Sequence, residues 1–147
     1  MKVLITGHRL FKLEAYDTDW IKLALMEIAD NQKLPISYGF SGMASGVDLW
    51  FCDTLQEAAI PYEACIPFED QRFEMDEGEQ IHRDRLIEAA SKVSHVRNRY
   101  MVEKAQAGIA VWDGNKGGTH NVVQQMVEAG KPFWWLNPVS QRIWQCF

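Results

Sequence analysis

The chain has 147 residues, 47% of them hydrophobic, 12% aromatic and 24% charged, a balance that excludes a disordered protein and fits one globular domain with a packed core. Fifteen Lys and Arg against twenty Asp and Glu leave a net charge of −5, so the basic footprint of a phosphate-backbone binder is missing and nucleic acid is not the expected partner. No apolar run reaches the length of a membrane span, and MKVLITGH turns polar before a signal-peptide core develops, which sets the expectation of a cytoplasmic protein without a membrane partner.

Lys2 to Thr6, Pro35 to Phe40 and Pro61 to Ile66 are short apolar runs ended by breakers and predict three strands. Between the first two, Asp17 to Ala29 places Trp20, Leu23, Ala24 and Ile28 at helical spacing behind a capping Asp17 or Thr18. Ser45 to Ala59 repeats the helical pattern between the next two. A βαβαβ run with crossovers of this length implies parallel strands. After Pro67 the acidic segment FEDQRFEMDEGE is too long for a tight connection and reads as a lid or binding loop. Helices come next at about Glu77 to Ala90 and Asn98 to Gln106, then a strand Gly108 to Trp112, a glycine loop, a helix to about Ala129 and a strand Pro132 to Leu136. The expected fold is therefore α/β, a single Rossmann-like three-layer domain over 1–147 with a mostly parallel sheet, its core in 1–138. In the tail, 139–147, Trp144 and Phe147 suit packing on the domain or a partner, and a homo-oligomer stays open.

Cys52, Cys65 and Cys146 are odd in number and widely spaced, which provides neither a disulfide framework nor a metal knuckle. No metal and no cofactor is expected. His82, Arg83, Arg85, Lys92, His95, Arg97, Arg99 and Lys104 form a basic stretch that can steer an anionic small molecule, while acids collect between Glu69 and Glu79.

Three glycine-containing turns each follow a predicted strand: Thr6-Gly-His-Arg9, Ser41-Gly-Met-Ala-Ser-Gly-Val-Asp48 and Asp113-Gly-Asn-Lys-Gly-Gly-Thr119. In an open parallel sheet they share the carboxyl edge, where ligands bind and glycine lets backbone amides approach a phosphate. In the second loop Ser45 is placed to cap the next helix, with Asp48 returning a hydrogen bond or holding a ribose hydroxyl, while the amides of Gly42 to Gly46 face the ligand. His120 at the next helix start reads as a surface residue before a general acid or base. Of the arginines in Arg97-Asn-Arg-Tyr-Met101, Arg97 is the better candidate for the cleft and Arg99 for solvent.

TGHR, SGMASGVD, IPFEDQ, RNRYMVEKA and AVWDGNKGGTHN, in that order from Lys2 to about Pro138, make the chain resemble the SLOG superfamily, especially its YpsA-like branch. The resemblance implies a Rossmann-like sheet that binds or senses a nucleotide or nucleotide derivative. Gly7, His8 and Arg9 then form one wall, and Ser41, Gly42, Met43, Ala44, Gly46 and Asp48 the floor. Arg97, Gly117, Gly118 and Thr119 form the opposing wall with Asn98, Asp113 and Gly114 beside them, and Gln71 closes over the ligand. Lonely-guy phosphoribohydrolases of this superfamily carry an arginine in an RKxxM-type motif and a glutamate in PGGxGTxxE. Arg97 and Met101 match the first, but Val122 stands where the glutamate belongs. A nucleotide N-glycosidase would thus need a displaced acid, Asp113 or one from Glu69 to Glu79. Single-stranded DNA binding of the DNA-processing type is the third reading, set last by the charge.

Overall fold

Alternate residues of the first strand, β1 (Lys2–Gly7), enter two different apolar clusters, as a strand buried on both faces requires. Val3 and Ile5 join a cluster with residues of α2 (Thr18–Ala29) and α3 (Val47–Glu57). Leu4 joins another with Met101 of α5 (Asn98–Lys104) and Met126 of α6 (Gly118–Glu128). The sheet is thus the middle of three layers. The computed structural model describes residues 1–30, 35–96 and 98–146.

Between these elements lie α1 (Leu10–Leu13), β2 (Tyr38–Ser41), β3 (Tyr62–Cys65), a 3₁₀ helix (Glu69–Glu74), α4 (Glu77–Ala89) and β4 (Lys92–Ser94). The chain then forms β5 (Ala107–Val111), β6 (Phe133–Asn137) and β7 (Arg142–Cys146). Among the described residues the strand order is β4-β3-β2-β1-β5-β6-β7, parallel except for the β6–β7 pair. The chain winds outward from β1 to β4 and then returns to the other side of β1 with β5. That reversal opens a crevice beyond the carboxyl ends of β1 and β5.

The α/β architecture read from the sequence is the observed one, with local differences. Asp17 caps α2, its Oδ1 accepting from the Trp20 amide at 3.1 Å. The buried stripe of that helix is Ile21, Ala24, Leu25 and Ile28, whereas Leu23 is 64% exposed. One turn of helix at Leu10–Leu13 and the short strand β4 interrupt stretches read as connections. In the tail, 142–146 forms β7 and pairs antiparallel with β6. Trp144 stays largely exposed, and Phe147 lies outside the described residues.

Gly7 shows how tightly α3 abuts the end of β1. A Cβ there would lie 2.7, 2.8 and 3.0 Å from Cγ1, Cβ and Cγ2 of the buried Val47. Because Val47 is branched at Cβ, no rotamer clears the space. Gly7→Ala is expected to lose about 1 to 3 kcal/mol, the usual cost of overpacking; urea unfolding of the variant measures it, and unchanged stability would contradict this packing.

Candidate functional site

A cleft of about 410 Å³ occupies the crevice where strand order reverses. The loop after β1 supplies Gly7, His8 and Arg9, and α1 adds Phe11 and Lys12. The loop after β2 supplies Gly42, Ala44 and Asp48. Gln71, Asn98, Gly118 and Thr119 come from the segments after β3, β4 and β5, together with Pro67, Phe68 and Met101. The topology therefore converges five separate segments on one volume.

Two cations line the cleft, at different places. Lys12 reaches toward the start of α6, its Nζ 3.9 Å from where a Cβ of Gly117 would sit. No side chain caps α6 and no acid occupies its first turn, so the positive end of an 11-residue helix faces the cleft through Gly118 and Thr119. Arg9 is also a wall residue, and its Nη1 donates to Glu74 Oε2 at 2.9 Å. Both partners are about half exposed, so this ion pair is weak and exchangeable.

His8 is almost fully buried and its Nε2 accepts from the Asp113 amide at 3.1 Å. Burial pulls its pKa below the ordinary histidine value, with the nearby Asp113 carboxylate opposing and Lys12 assisting. A neutral ring accepting at Nε2 carries its proton on Nδ1. Burial pushes Asp113 upward, but the Asn115 amide, His8 and the Tyr16 hydroxyl outweigh it, so the carboxyl sits below its usual range. Asp113 thus locks the loops after β1 and β5 together and does not line the cleft.

The loop Ser41 to Asp48 differs from its expected use. Ser45 does not cap α3; its Oγ accepts from the Leu10 amide at 3.3 Å and ties down α1. The Met43 amide donates to Ser41 Oγ at 3.2 Å and the Ala44 amide to Asp48 Oδ2 at 3.1 Å. These two amides are spent within the loop, and the Asp48 carboxyl already sits at the first turn of α3. An incoming phosphate is therefore better seated at α6 beside Lys12 than on this loop. Asp48 lines the cleft and suits a hydroxyl donor such as a ribose diol.

Desolvation raises the Asp48 pKa from 3.8 to about 7, against the pull of the Ala44 amide and Arg9. Between those values the folded state binds more protons than the unfolded one, so ionising Asp48 costs stability as pH rises through this window. Asp48→Asn, which keeps an oxygen for the Ala44 amide, should gain stability relative to the parent as pH rises from about 4 to about 7 in paired urea titrations. A difference independent of pH would contradict the raised pKa.

Gln71 is buried and bridges two segments: its Nε2 donates to Gly42 O at 2.7 Å, and its Oε1 accepts from Arg83 Nε and Nη2 at 3.3 and 3.0 Å. Arg83 is only 5% exposed, so this member of the basic stretch fixes the 3₁₀ segment instead of steering a ligand.

Ser41, Met43, Gly46, Gly114 and Gly117 support the loops from outside the cleft lining, as Asp113 does, and Arg97 lies outside the described residues. Sequence reasoning missed Phe11, Lys12 and Phe68 as lining residues: Phe68 sits within IPFEDQ, where only Gln71 was singled out, and the proximity of Phe11 and Lys12 to TGHR was the available signal for those two. His120 packs against Trp112 in a tilted arrangement, 5.6 Å between ring centroids, and is not part of the lining. Val122 is buried in the core, and among the described residues Asp48 is the one carboxylate in the cleft wall. Also among the described residues, no cluster of three or more His, Cys, Asp or Glu is arranged to hold a metal ion, and no helix is long and apolar enough to cross a membrane.

Neither a protein-family model nor a curated protein sequence matches the chain. Solved structures do. DNA processing protein A (DprA) from Streptococcus pneumoniae superposes with a TM-score of 0.64 at 14% identity, covering 91% of this chain and 49% of that one. The molybdenum cofactor carrier protein MCP from Chlamydomonas reinhardtii gives 0.55 at 14% identity, with 91% and 74% covered. The protein TM1055 gives 0.53 at 15% identity, with 90% and 71% covered. At these identities the likeness is one of fold, and this chain spans about half the length of DprA. The strand order, the layers and these superpositions agree: the chain has a Rossmann-like three-layer α/β fold, shared with these three proteins.

Proposed function

We propose that the protein binds and senses a nucleotide or nucleotide-derived small molecule in the cleft at the carboxyl edge of its sheet, residues 1–147 acting as one binding unit. The observation that carries this reading is the uncapped start of α6 with Lys12 beside it, in a cleft at the strand-order reversal. Backbone amides with a lysine beside them suit a phosphate, and Arg9 adds positive charge elsewhere in the wall. Asp48 suits the sugar hydroxyls, and Phe11, Phe68 and Met101 offer apolar surface to a base. The order of the glycine motifs supports placement in the YpsA-like branch.

Adding such a ligand at about 100 Kd should stabilise the native state by roughly 2.7 kcal/mol. A thermal-shift panel of mono-, di- and cyclic nucleotides reads this directly. No shift from any of them at millimolar concentration would remove the support for the reading.

A second reading, cleavage of a nucleotide N-glycosidic bond, is favoured by one observation: among the described residues Asp48 is the carboxyl in the cleft wall, and burial pushes its pKa up to about 7, where an acid can donate a proton to a leaving group. It replaces Asp113, whose carboxylate is committed to the Asn115 amide and the Tyr16 hydroxyl. The sensing account expects no adenine from adenosine monophosphate above background. Protein-dependent adenine that disappears in Asp48→Asn would establish the hydrolase instead.

A further inference from the structure

The sheet ends in two edges of opposite character. β4 is three residues long and opens on the exposed Lys92, and shortness and lysine both keep an edge from pairing with another chain. β7 has neither device. It runs for five residues, four of them exposed, and its sequence RIWQC contains no lysine, proline or acid. Among the described residues no strand pairs with its outer side, so a row of backbone amides and carbonyls is open there. The register with β6 sets Trp144 opposite Trp135 and Arg142 opposite Asn137. Arg142, Trp144 and Cys146 therefore share one face of the ribbon, and Ile143 and Gln145 the other. Trp144 continues a row begun by Trp112 and Trp135, whose ring centroids lie 5.2 Å apart, and ends it about half exposed at the sheet edge.

Charge selects the partner. The chain carries a net charge of −5, yet no Asp or Glu follows Glu128, and the charged side chains of 129–147 are Lys131 and Arg142. Two copies of this acidic protein can thus meet at β7 without opposing carboxylates. A strand pairs antiparallel with its own copy about a two-fold axis, the commonest symmetry of soluble oligomers. With the axis at Trp144, Arg142 falls opposite the partner's Cys146 and Ile143 opposite the partner's Gln145. The two Arg142 positions then stand about 14 Å apart along the strands, beyond the screening length of about 8 Å at physiological salt. We propose that the protein forms a two-fold dimer through β7, which joins the two sheets into one and covers Trp144 with its own copy. No residue of β7 lines the cleft, so the dimer stands apart from what the cleft binds.

Sedimentation velocity of the whole chain, from about 1 to about 100 μM, should show a species of twice the 16.9 kDa monomer mass. Two paired substitutions test the register, with circular dichroism confirming the fold of each. Ile143→Glu with Gln145→Glu sets acid against acid at both cross-strand positions and should weaken the dimer roughly tenfold or more. Ile143→Lys with Gln145→Glu sets base against acid there and should keep the dissociation constant within about threefold of the parent's. Hydrogen exchange of the parent needs no variant: protection of the amides of 142–146 should rise with the dimer fraction. A parent that stays monomeric throughout, protection that does not follow the dimer, or a dimer that persists or is lost equally in both paired variants overturns the proposal.

Discussion

Gly46→Val is expected to lower the melting temperature by roughly 4 to 24 °C, on the basis of about 2 to 4 °C per kcal/mol for a chain of this size. Gly46 has φ of +87° and ψ of −123°, a conformation that side-chain-bearing residues rarely adopt and that costs about 1 to 3 kcal/mol when forced. A Cβ there would also lie 2.8 Å from Leu13 Cδ1, 2.9 Å from the Leu10 amide nitrogen and 3.2 Å from His8 O. Two of these atoms are backbone and cannot rotate away, which adds about 1 to 3 kcal/mol of overpacking. The space Gly46 leaves is filled by the loop that carries Arg9, not by ligand, so ligand binding should collapse through displacement of that loop. Gly130→Ala is the control: φ there is +67° and nothing lies within 4 Å of a new Cβ, so it isolates backbone strain. Equal losses in Gly46→Ala and Gly130→Ala, measured by thermal and urea unfolding, would show that the contact with the His8–Leu10 loop carries no weight.

Arg83→Ala should be the second most damaging single change. It leaves the Oε1 of Gln71 buried without its donors, a loss of about 1 to 3 kcal/mol, and it removes packing of the buried aliphatic stem. Gln71 would no longer be oriented to donate to Gly42 O, so the 3₁₀ helix Glu69–Glu74 should loosen over the cleft. Arg83→Lys should recover little, because one ammonium cannot reproduce the two guanidinium contacts from Nε and Nη2. Hydrogen exchange at 69–74 together with urea unfolding reads both effects; parental stability and protection in Arg83→Ala would refute the bridging role.

The alternation of strands and helices was legible because each central strand is a short apolar run that ends at a turn and each crossover helix has its own apolar stripe. Elements without those marks were not. β4 and β7 are edge strands with mostly exposed side chains, so no hydrophobic pattern announces them, and α1 is a single turn held partly by Ser45 from another loop. In α2 two apolar stripes share Ala24 and Ile28, one running through Trp20 and Leu23 and the other through Ile21 and Leu25. Packing against the sheet and α3 selects the second, a choice that spacing within the helix does not make. The gathering of glycine loops at one edge followed from parallel topology. Which amides remain free did not, because Ser41 and Asp48 consume those of Met43 and Ala44 through contacts that depend on the folded loop. Arg83 read as one more surface cation since its burial against Gln71 is a tertiary fact.

The central claim is that a phosphate-bearing ligand seats at the start of α6 beside Lys12, in the cleft that Arg9 also lines. Titrating adenosine diphosphate into isotopically labelled protein and following backbone amide shifts tests it most directly. The largest changes should fall on Gly118 and Thr119 and on His8 to Lys12, with smaller ones at Gly42 and Ala44. Saturable binding whose shifts instead cluster at the exposed edge strands β4 or β7, or an absence of shifts throughout the cleft, would contradict it.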